Sequence, residues 1–297
     1  MGFEIAQDEV LIADGGLATE LEANGHDLSD ALWSARLLMD SPEAVRAAHS
    51  AFFRSGARIA TTASYQASFE GLASRGIGRE EAKRLLRRSV ELARQACDEV
   101  GGERWIAASV GPYGAALADG SEYRGRYGLS VAELTAWHRP RLEALAEAGP
   151  DVLALETVPD SDEGAALTAA IEGLGVPAWL SYTIEGDRTR AGQPLEEAFA
   201  LARDVPQVVA VGVNCCSPAD VRRAVEIARE TTGKPVIVYP NSGEGWDARA
   251  RAWTGDSRFD PVQAGEWVAA GASVIGGCCR VRPDDIAALA RSVTSAG

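Results

Sequence analysis

The chain has 297 residues, of which 46% are hydrophobic, and its 29 basic and 43 acidic residues give a net charge of -14. This acidic excess argues against a nucleic-acid or anionic-membrane partner, because phosphate binding needs clustered basic charge. No apolar run reaches transmembrane length and the N-terminus lacks a signal-peptide pattern, so we expect a cytoplasmic protein whose oligomeric state the sequence leaves open. The five cysteines are an odd number and some are adjacent, which argues against a disulfide framework.

Short apolar, β-branched runs alternate with longer amphipathic segments along the whole chain. The predicted strands are residues 10–13, 57–61, 105–110, 152–155, 178–182, 208–213, 235–239 and 272–275. The clearest predicted helices between them are residues 80–99, 131–148, 195–203 and 218–231. Eight β-then-α units predict an α/β fold, a (β/α)8 TIM barrel that forms a single domain over residues 1–297. A doubly wound open sheet is the alternative, but no Gly-x-Gly-x-x-Gly motif follows the first strand.

Polar side chains and cysteines stand at the ends of most predicted strands. In chain order they are Asp14, Thr62, Ser64, Glu156, Asn214, Cys215, Cys278 and Cys279. The carboxyl ends of the strands of a barrel lie on one face, where active sites are built, so we expect these residues to surround one site. The longest irregular segments, 113–128 and 241–260, also follow strands and are predicted to be loops on that face.

Three of the cysteines form a candidate metal site. Cys215 and the pair Cys278 and Cys279 follow strands that must be close in space for the three sulfurs to meet. Three thiolates suit a soft, tetrahedral metal such as zinc, and three protein ligands leave the fourth position open, as in catalytic sites. The other interpretations are a chance buried cluster or a redox-active disulfide between Cys278 and Cys279. A lone cysteine is usually a small buried hydrophobe, and we expect this of Cys97 and Cys216.

The segments at these strand ends resemble the homocysteine S-methyltransferase family over nearly the whole chain. The matching segments are Asp14-Gly15-Gly16, Thr62-Ala63-Ser64-Tyr65-Gln66-Ala67-Ser68, Glu156-Thr157, Gly212-Val213-Asn214-Cys215 and Gly276-Gly277-Cys278-Cys279-Arg280. The stretches that begin at Gly114 and Tyr239, together with Arg280, are similar to the branch that uses S-methylmethionine or S-adenosylmethionine. No cobalamin or folate domain fits beside a barrel of this length.

The resemblance implies zinc-dependent transfer of a methyl group from a sulfonium donor to the thiol of homocysteine, giving methionine. Cys215, Cys278 and Cys279 would hold the zinc, with the substrate sulfur as the fourth ligand. Glu156, with Asp14 nearby, would bind the ammonium group of homocysteine, and Thr62, Ser64 and Asn214 complete the predicted substrate-binding set. The cationic donor can rest against aromatic rings. The candidate rings are those of Tyr65, Tyr113, Tyr123 and Trp246.

Other functions remain open at the level of sequence. The same site could methylate another thiol or selenol, such as selenohomocysteine, and the sequence does not decide between the two sulfonium donors. A redox-switch barrel protein would need no metal. A metal-independent barrel lyase would use Asp14 and Glu156 as acid and base, and it would remain active in the presence of a chelator.

Overall fold

The computed structural model describes residues 3–6, 9–28, 34–247, 252–255, 257 and 259–294. The eight strands of its main sheet are β1 (Leu11–Ile12), β2 (Ile59–Thr61), β3 (Trp105–Val110), β4 (Val152–Val158), β5 (Ala178–Tyr182), β6 (Val208–Asn214), β7 (Val236–Tyr239) and β8 (Ala272–Ile275). All pairs are parallel, and each strand lies beside its neighbour in sequence. A parallel bridge between Ala13 and Ile59 joins β1 to β2, so the sheet closes into the predicted barrel.

Helices follow the strands and cover the outside of the barrel. They are α1 (Leu17–Ala23), α2 (Ser34–Asp40), α3 (Pro42–Arg54), α4 (Phe69–Ala73), α5 (Arg79–Val100), α6 (Tyr113–Leu117), α7 (Val131–Ala146), α8 (Ser161–Ala170), α9 (Leu195–Arg203), α10 (Pro218–Thr232), α11 (Gln263–Ala270) and α12 (Pro283–Thr294). The predicted helices match α5, α7, α9 and α10 to within two residues at each end. None of the described helices combines the length and apolarity needed to cross a membrane.

The two segments predicted to be irregular loops contain secondary structure. Residues 113–128 include α6 and a single 3₁₀ turn at Ser121–Tyr123. Residues 241–260 include an antiparallel hairpin of Gly245–Asp247 with Ala252–Thr254. Both segments follow strands and lie at the carboxyl ends of β3 and β7, as expected. Their short elements lack the long periodic apolar pattern by which the sequence reveals helices and strands.

The core has two layers, as a closed barrel requires. Inward-facing side chains fill the barrel, and Phe3 packs against the rings of Trp105 and Trp179 at centroid distances of 5.9 and 6.2 Å. The larger layer lies between the strands and the helices, where the apolar faces of both are buried. This arrangement leaves the carboxyl ends of the strands free to carry polar groups.

Gly212 in β6 allows a close approach that a larger residue would prevent. A Cβ atom built at Gly212 falls 1.7 Å from the carbonyl oxygen of Ile237 in β7. We expect Gly212→Ala to lower the free energy of unfolding by about 3 kcal/mol, because β6 and β7 would have to separate. Gly265→Ala in α11 is the matched control, since nothing lies within 4 Å of its Cβ position. There we expect a gain of about 0.5–1 kcal/mol. Denaturant unfolding measures both, and unchanged stability of Gly212→Ala would contradict the close approach.

Candidate active site at the carboxyl ends of the strands

The three cysteines predicted to form a metal site meet at the mouth of the barrel. The end of β7 lies between the two groups of cysteines and holds both. The N–H of Cys215 donates to the carbonyl oxygen of Tyr239 at 3.2 Å, and that of Cys278 donates to Pro240 at 2.8 Å. The Sγ atoms of Cys215, Cys278 and Cys279 all lie within 4.8 Å of one another. The convergence expected from the strand positions is therefore confirmed.

The backbone beside Cys278 and Cys279 is packed against neighbouring strands. A Cβ built at Gly277 would lie 2.2 Å from Val281, and one at Gly276 would lie 2.8 Å from the carbonyl oxygen of Asp14. The side chain of Asn241 accepts the N–H of Cys279 at 3.1 Å. Gly276 and Gly277 thus allow the backbone of the cysteine pair to lie close to β1. Asn241, in the loop after β7, fixes the orientation of Cys279.

The thiol groups have a defined pairing in this structure. Cys215 and Cys278 form a disulfide with their Cα atoms 5.6 Å apart, whereas the sulfurs of Cys278 and Cys279 are 4.0 Å apart. The disulfide in this structure thus joins Cys278 to Cys215. The redox interpretation places it between Cys278 and Cys279. A metal needs the reduced form, because only a thiolate can ligate it. Burial raises the pKa of the Cys279 thiol to about 11, and the charges of Glu22, Glu122 and Glu156 raise it too. A cation at the sulfurs would offset both effects.

Glu156 lies at the end of β4 with its carboxyl group buried. The hydroxyl of Ser109 in β3 donates to Glu156 Oε1. The hydroxyl of Tyr239 is a second hydrogen-bond partner, and it accepts from Trp179 Nε1 at 3.0 Å. Burial raises the pKa of Glu156 to about 7, while the bonds from Ser109 and Tyr239 lower it. Glu156 forms no ion pair with any described Lys or Arg, so a substrate cation would find an unpaired carboxylate there.

Asp14, at the end of β1, is a second buried carboxyl group. Thr61 in β2 donates to it twice, from its N–H to Oδ2 at 2.7 Å and from its hydroxyl to Oδ1 at 2.9 Å. Burial raises the pKa of Asp14 to about 8, the bonds from Thr61 lower it, and the charge of Glu156 raises it. The two predicted carboxylates are thus close enough to interact, and both bind protons more tightly than ordinary carboxylates.

Thr62 and Ser64 belong to a hydrogen-bonded chain that ends at Glu156. The Thr62 hydroxyl accepts the N–H of Ser109 at 3.0 Å and lies 2.7 Å from the Ser64 hydroxyl. Ser64 donates to the carbonyl oxygen of Ser109 at 2.7 Å. Both hydroxyls therefore hold Ser109, which in turn donates to Glu156. Their direct contact with a substrate stays a prediction.

Asn214 is fully buried and bonds to Thr157 through both ends of its amide. Its Oδ1 accepts the N–H of Thr157 at 2.7 Å, and its Nδ2 donates to the Thr157 hydroxyl at 2.7 Å. The Thr157 hydroxyl donates to Cys215 Sγ at 3.6 Å. Thr157 and Cys215 have φ values of 56° and 49°, which are unfavourable for residues with a β-carbon. Asn214 thus stabilises the strained backbone beside the metal-site cysteine, and its predicted substrate contact stays a prediction.

The four candidate aromatic residues separate into two groups. Tyr65 and Tyr123 are partly buried at the mouth of the barrel, where Tyr65 bonds to Thr157 and Tyr123 is near Cys279. Tyr113 instead packs against Tyr127 and Trp137, with ring centroids 5.2 and 4.9 Å away. The side chain of Trp246 lies outside the described residues.

Comparison with known proteins supports the resemblance seen in the sequence. The sequence profile of the homocysteine S-methyltransferase family matches residues 11–293. The homocysteine S-methyltransferase of Escherichia coli is 45% identical over an alignment 294 positions long, which covers 95% of each chain. The YbgG homocysteine S-methyltransferase of Bacillus subtilis is 42% identical and covers 96% of this chain and 95% of its own. The chain belongs to the homocysteine S-methyltransferase family. It is therefore an enzyme of the methyltransferase class.

The fold of this chain is also similar to that of a solved relative. The crystal structure of the homocysteine methyltransferase MmuM from E. coli, in a metallated form, is similar with a TM-score of 0.87. It is 43% identical, and the match covers 96% of each chain. This chain carries a group of three cysteine sulfurs that could hold a metal ion.

Several residues that support the site of this methyltransferase were not among the site residues predicted from the sequence. Ser109, Thr157 and Tyr239 all bond to predicted site residues, but they lie on other strands than their partners. Ser109 is an ordinary residue within an apolar strand. Only its position facing the mouth of a closed barrel, beside β4, brings its hydroxyl to Glu156.

The raised pKa of Asp14 has a testable consequence for stability. An aspartate in the unfolded chain has a pKa near 3.9, so the folded protein binds a proton more tightly at this position. The stabilisation from that proton is complete below about pH 4 and is lost as the pH rises through about 8. We expect the melting temperature of the wild type to fall more steeply between pH 6 and 9 than that of Asp14→Asn. Parallel pH profiles in reductant would contradict a protonated Asp14.

Proposed function

We propose that the protein transfers a methyl group from a sulfonium donor, S-methylmethionine or S-adenosylmethionine, to the thiol of L-homocysteine, giving methionine. The observation that carries the proposal is the clustering of three thiols beside two buried carboxyl groups at the mouth of the barrel. Thiol sulfurs suit a soft metal, and buried unpaired carboxylates suit an ammonium group. An amino acid with a thiol side chain carries both partners.

Zinc fits the three sulfurs of the reduced site. Zn–S bonds of about 2.3 Å in a tetrahedron separate neighbouring sulfurs by about 3.8 Å. The sulfurs of Cys278 and Cys279 are 4.0 Å apart. Cys215 follows β6, on the other side of β7, and its sulfur lies within 4.8 Å of both. Zinc bound there would supply a fourth coordination position at which a substrate thiol is deprotonated at neutral pH.

The remaining chemistry falls to the protein side chains. Glu156 would bind the ammonium group of homocysteine and direct its thiol toward the cysteines, and the positive charge of that group would favour loss of the proton from Asp14 nearby. Ser109 and Tyr239 hold Glu156, and Asn214 and Thr157 hold Cys215. No general acid is needed, because a sulfonium donor leaves as a neutral thioether. Alignment of the donor with the thiol is therefore the main requirement.

The direct test is a donor panel with reduced, zinc-loaded protein and homocysteine. We expect methionine from at least one sulfonium donor, in amounts that match the donor consumed. Selenohomocysteine in the same panel tests the wider acceptor range. Methionine formation that survives removal of zinc would contradict a role for the metal in methyl transfer. Zinc-free reduced protein would favour a redox role.

The metal proposal predicts the stoichiometry of purified protein. We expect reduced wild type to bind about one zinc per chain, and Cys278→Ala to lose both zinc and activity. Cys216→Ala is the matched control, since Cys216 is buried beside Cys215 but packs in the outer core. Metal analysis after dialysis distinguishes the variants. Stoichiometric zinc in Cys278→Ala would contradict the ligand assignment.

The role of Glu156 predicts a loss that depends on the acceptor. We expect Glu156→Gln to weaken homocysteine binding by about 10- to 100-fold, because a charge-assisted hydrogen bond is lost. A thiol of similar length without the amino group has no such bond, and its methylation is expected to change little. Equal losses for both acceptors would show that Glu156 shapes the metal site instead.

The pH dependence of acceptor binding provides a second test of the role of Glu156. The pKa of Glu156 is raised to about 7, so the carboxylate that pairs with ammonium is present above that pH and is lost below it. Both thiols lose a proton on metal binding, and that effect cancels between them. We expect the preference for homocysteine over the amine-free thiol to fall from pH 8 to pH 6 in the wild type and to stay flat in Glu156→Gln.

A further inference from the structure

A third buried carboxyl group lies at the mouth of the barrel, and one of its two oxygens has no hydrogen-bond partner among the described residues. Glu122, in the 3₁₀ turn Ser121–Tyr123, exposes only 6% of its surface. Its Oε2 is buried and accepts no hydrogen bond from any described residue. An unsatisfied buried carboxylate is unfavourable, so such a group in a rigid position implies a ligand that completes it.

The turn that carries Glu122 is held in place by its own loop. Asp119 Oδ1 accepts the N–H of Ser121 at 2.9 Å, and Gly120 adopts a φ of 81° that favours glycine. Gly114 packs so closely that a Cβ there would lie 2.4 Å from the backbone nitrogen of Glu122. The backbone that carries Glu122 is therefore held in a fixed position.

The groups around Glu122 belong to the active site. Its charge acts on the Cys279 thiol and on the phenol groups of Tyr65 and Tyr123. Arg124, whose positive charge acts on Glu122, is largely exposed and pairs with Asp119 at 3.7 Å. From the loop after β3, the charge of Glu122 thus reaches two tyrosines and a metal-site cysteine.

We propose that Glu122 binds the positively charged sulfur of the methyl donor, with the rings of Tyr65 and Tyr123 beside it. This proposal rests on the proposed function, and it adds the residue that would recognise the positive charge on the donor sulfur. A sulfonium ion donates no hydrogen bonds, so it is matched by a nearby anion and by aromatic faces and not by an array of acceptors. An ammonium group would instead need several acceptors, as Glu156 and its surroundings provide.

The charge balance of the reaction gives Glu122 a defined effect. The bond between the donor sulfur and the methyl carbon breaks, and its electron pair stays on the donor sulfur. A new bond joins that carbon to the homocysteine sulfur, so one cation and one thiolate become two neutral thioethers. The attraction of Glu122 for the donor therefore weakens as the transition state forms. Glu122 contributes to donor binding more than to the chemical step, and its attraction vanishes when product forms.

The test is Glu122→Gln, which keeps the shape of the side chain and removes its charge. We expect the KM for the sulfonium donor to rise about 10- to 100-fold, with kcat unchanged or slightly raised. Homocysteine KM, zinc content and melting temperature are expected to stay near those of the wild type. Glu22→Gln is the matched control, because its charge also acts on Cys279 but its side chain is exposed. An unchanged donor KM in Glu122→Gln would overturn the proposal.

An analogue that lacks only the sulfonium charge separates recognition of the donor sulfur from recognition of the amino-acid end. The carbon analogue of S-methylmethionine, with CH in place of the sulfonium sulfur, keeps the ammonium and carboxylate groups. We expect its inhibition constant against the donor to be the same in wild type and Glu122→Gln. Equal weakening of donor and analogue would mean that Glu122 binds the ammonium group or shapes the pocket, and would overturn the proposal.

Two further outcomes keep this inference separate from the proposed function. A wild type that forms no methionine from any sulfonium donor refutes the proposed function itself. A wild type that is active, with Glu122→Gln equal to it, refutes only the role of Glu122. If Glu122→Gln does not fold, Tyr123→Leu takes its place. This substitution keeps an apolar side chain but removes the ring. We expect it to weaken binding of the sulfonium donor and to leave binding of the carbon analogue unchanged.

Discussion

The active site depends on the close spacing of β6, β7 and β8. The carbonyl oxygens of Tyr239 and Pro240 at the end of β7 accept from Cys215 on one side and from Cys278 on the other. Those two bonds set the distance between the cysteine groups. They can form only because Gly212 lets β6 approach β7 and Gly276 lets β8 approach β1. The spacing of the cysteines is therefore set mainly by the barrel, and Asn241 in the loop after β7 fixes the orientation of Cys279.

Desolvation of acidic groups gives this site its chemical character. Burial raises the pKa values of Asp14, Glu122 and Glu156, and it raises that of the Cys279 thiol. Each of these groups would release its proton more readily next to a cation. A metal ion, an ammonium group and a sulfonium group are three cations that would suit the three parts of the mouth. Burial of several acidic groups together is unfavourable for stability and is typical of sites prepared for charged ligands.

The sequence predicts the frame of the site well, because strand ends follow directly from apolar runs. The positions of Asp14, Glu156 and the three cysteines required only the order of strands in a barrel. The hydrogen bonds among them required the register, since Ser109 meets Glu156 and Asn214 meets Thr157 across 47 and 57 residues of chain. The choice among aromatic rings also needed the structure. Tyr113 follows a strand end but turns into helix packing, because its N–H is bound by Glu163.

The arrangement also explains how one site could bind two amino acids of similar shape without confusing them. Homocysteine and a sulfonium donor carry the same ammonium and carboxylate groups, so those ends cannot distinguish the two. The reacting sulfurs differ in charge, one being an anion when bound and the other a cation. Thiol ligands and Glu122 lie at different parts of the mouth, Glu122 on the loop after β3 and the cysteines after β6 and β8. Opposite charges at the two sulfurs would then place each substrate on its own side, with the methyl carbon between them.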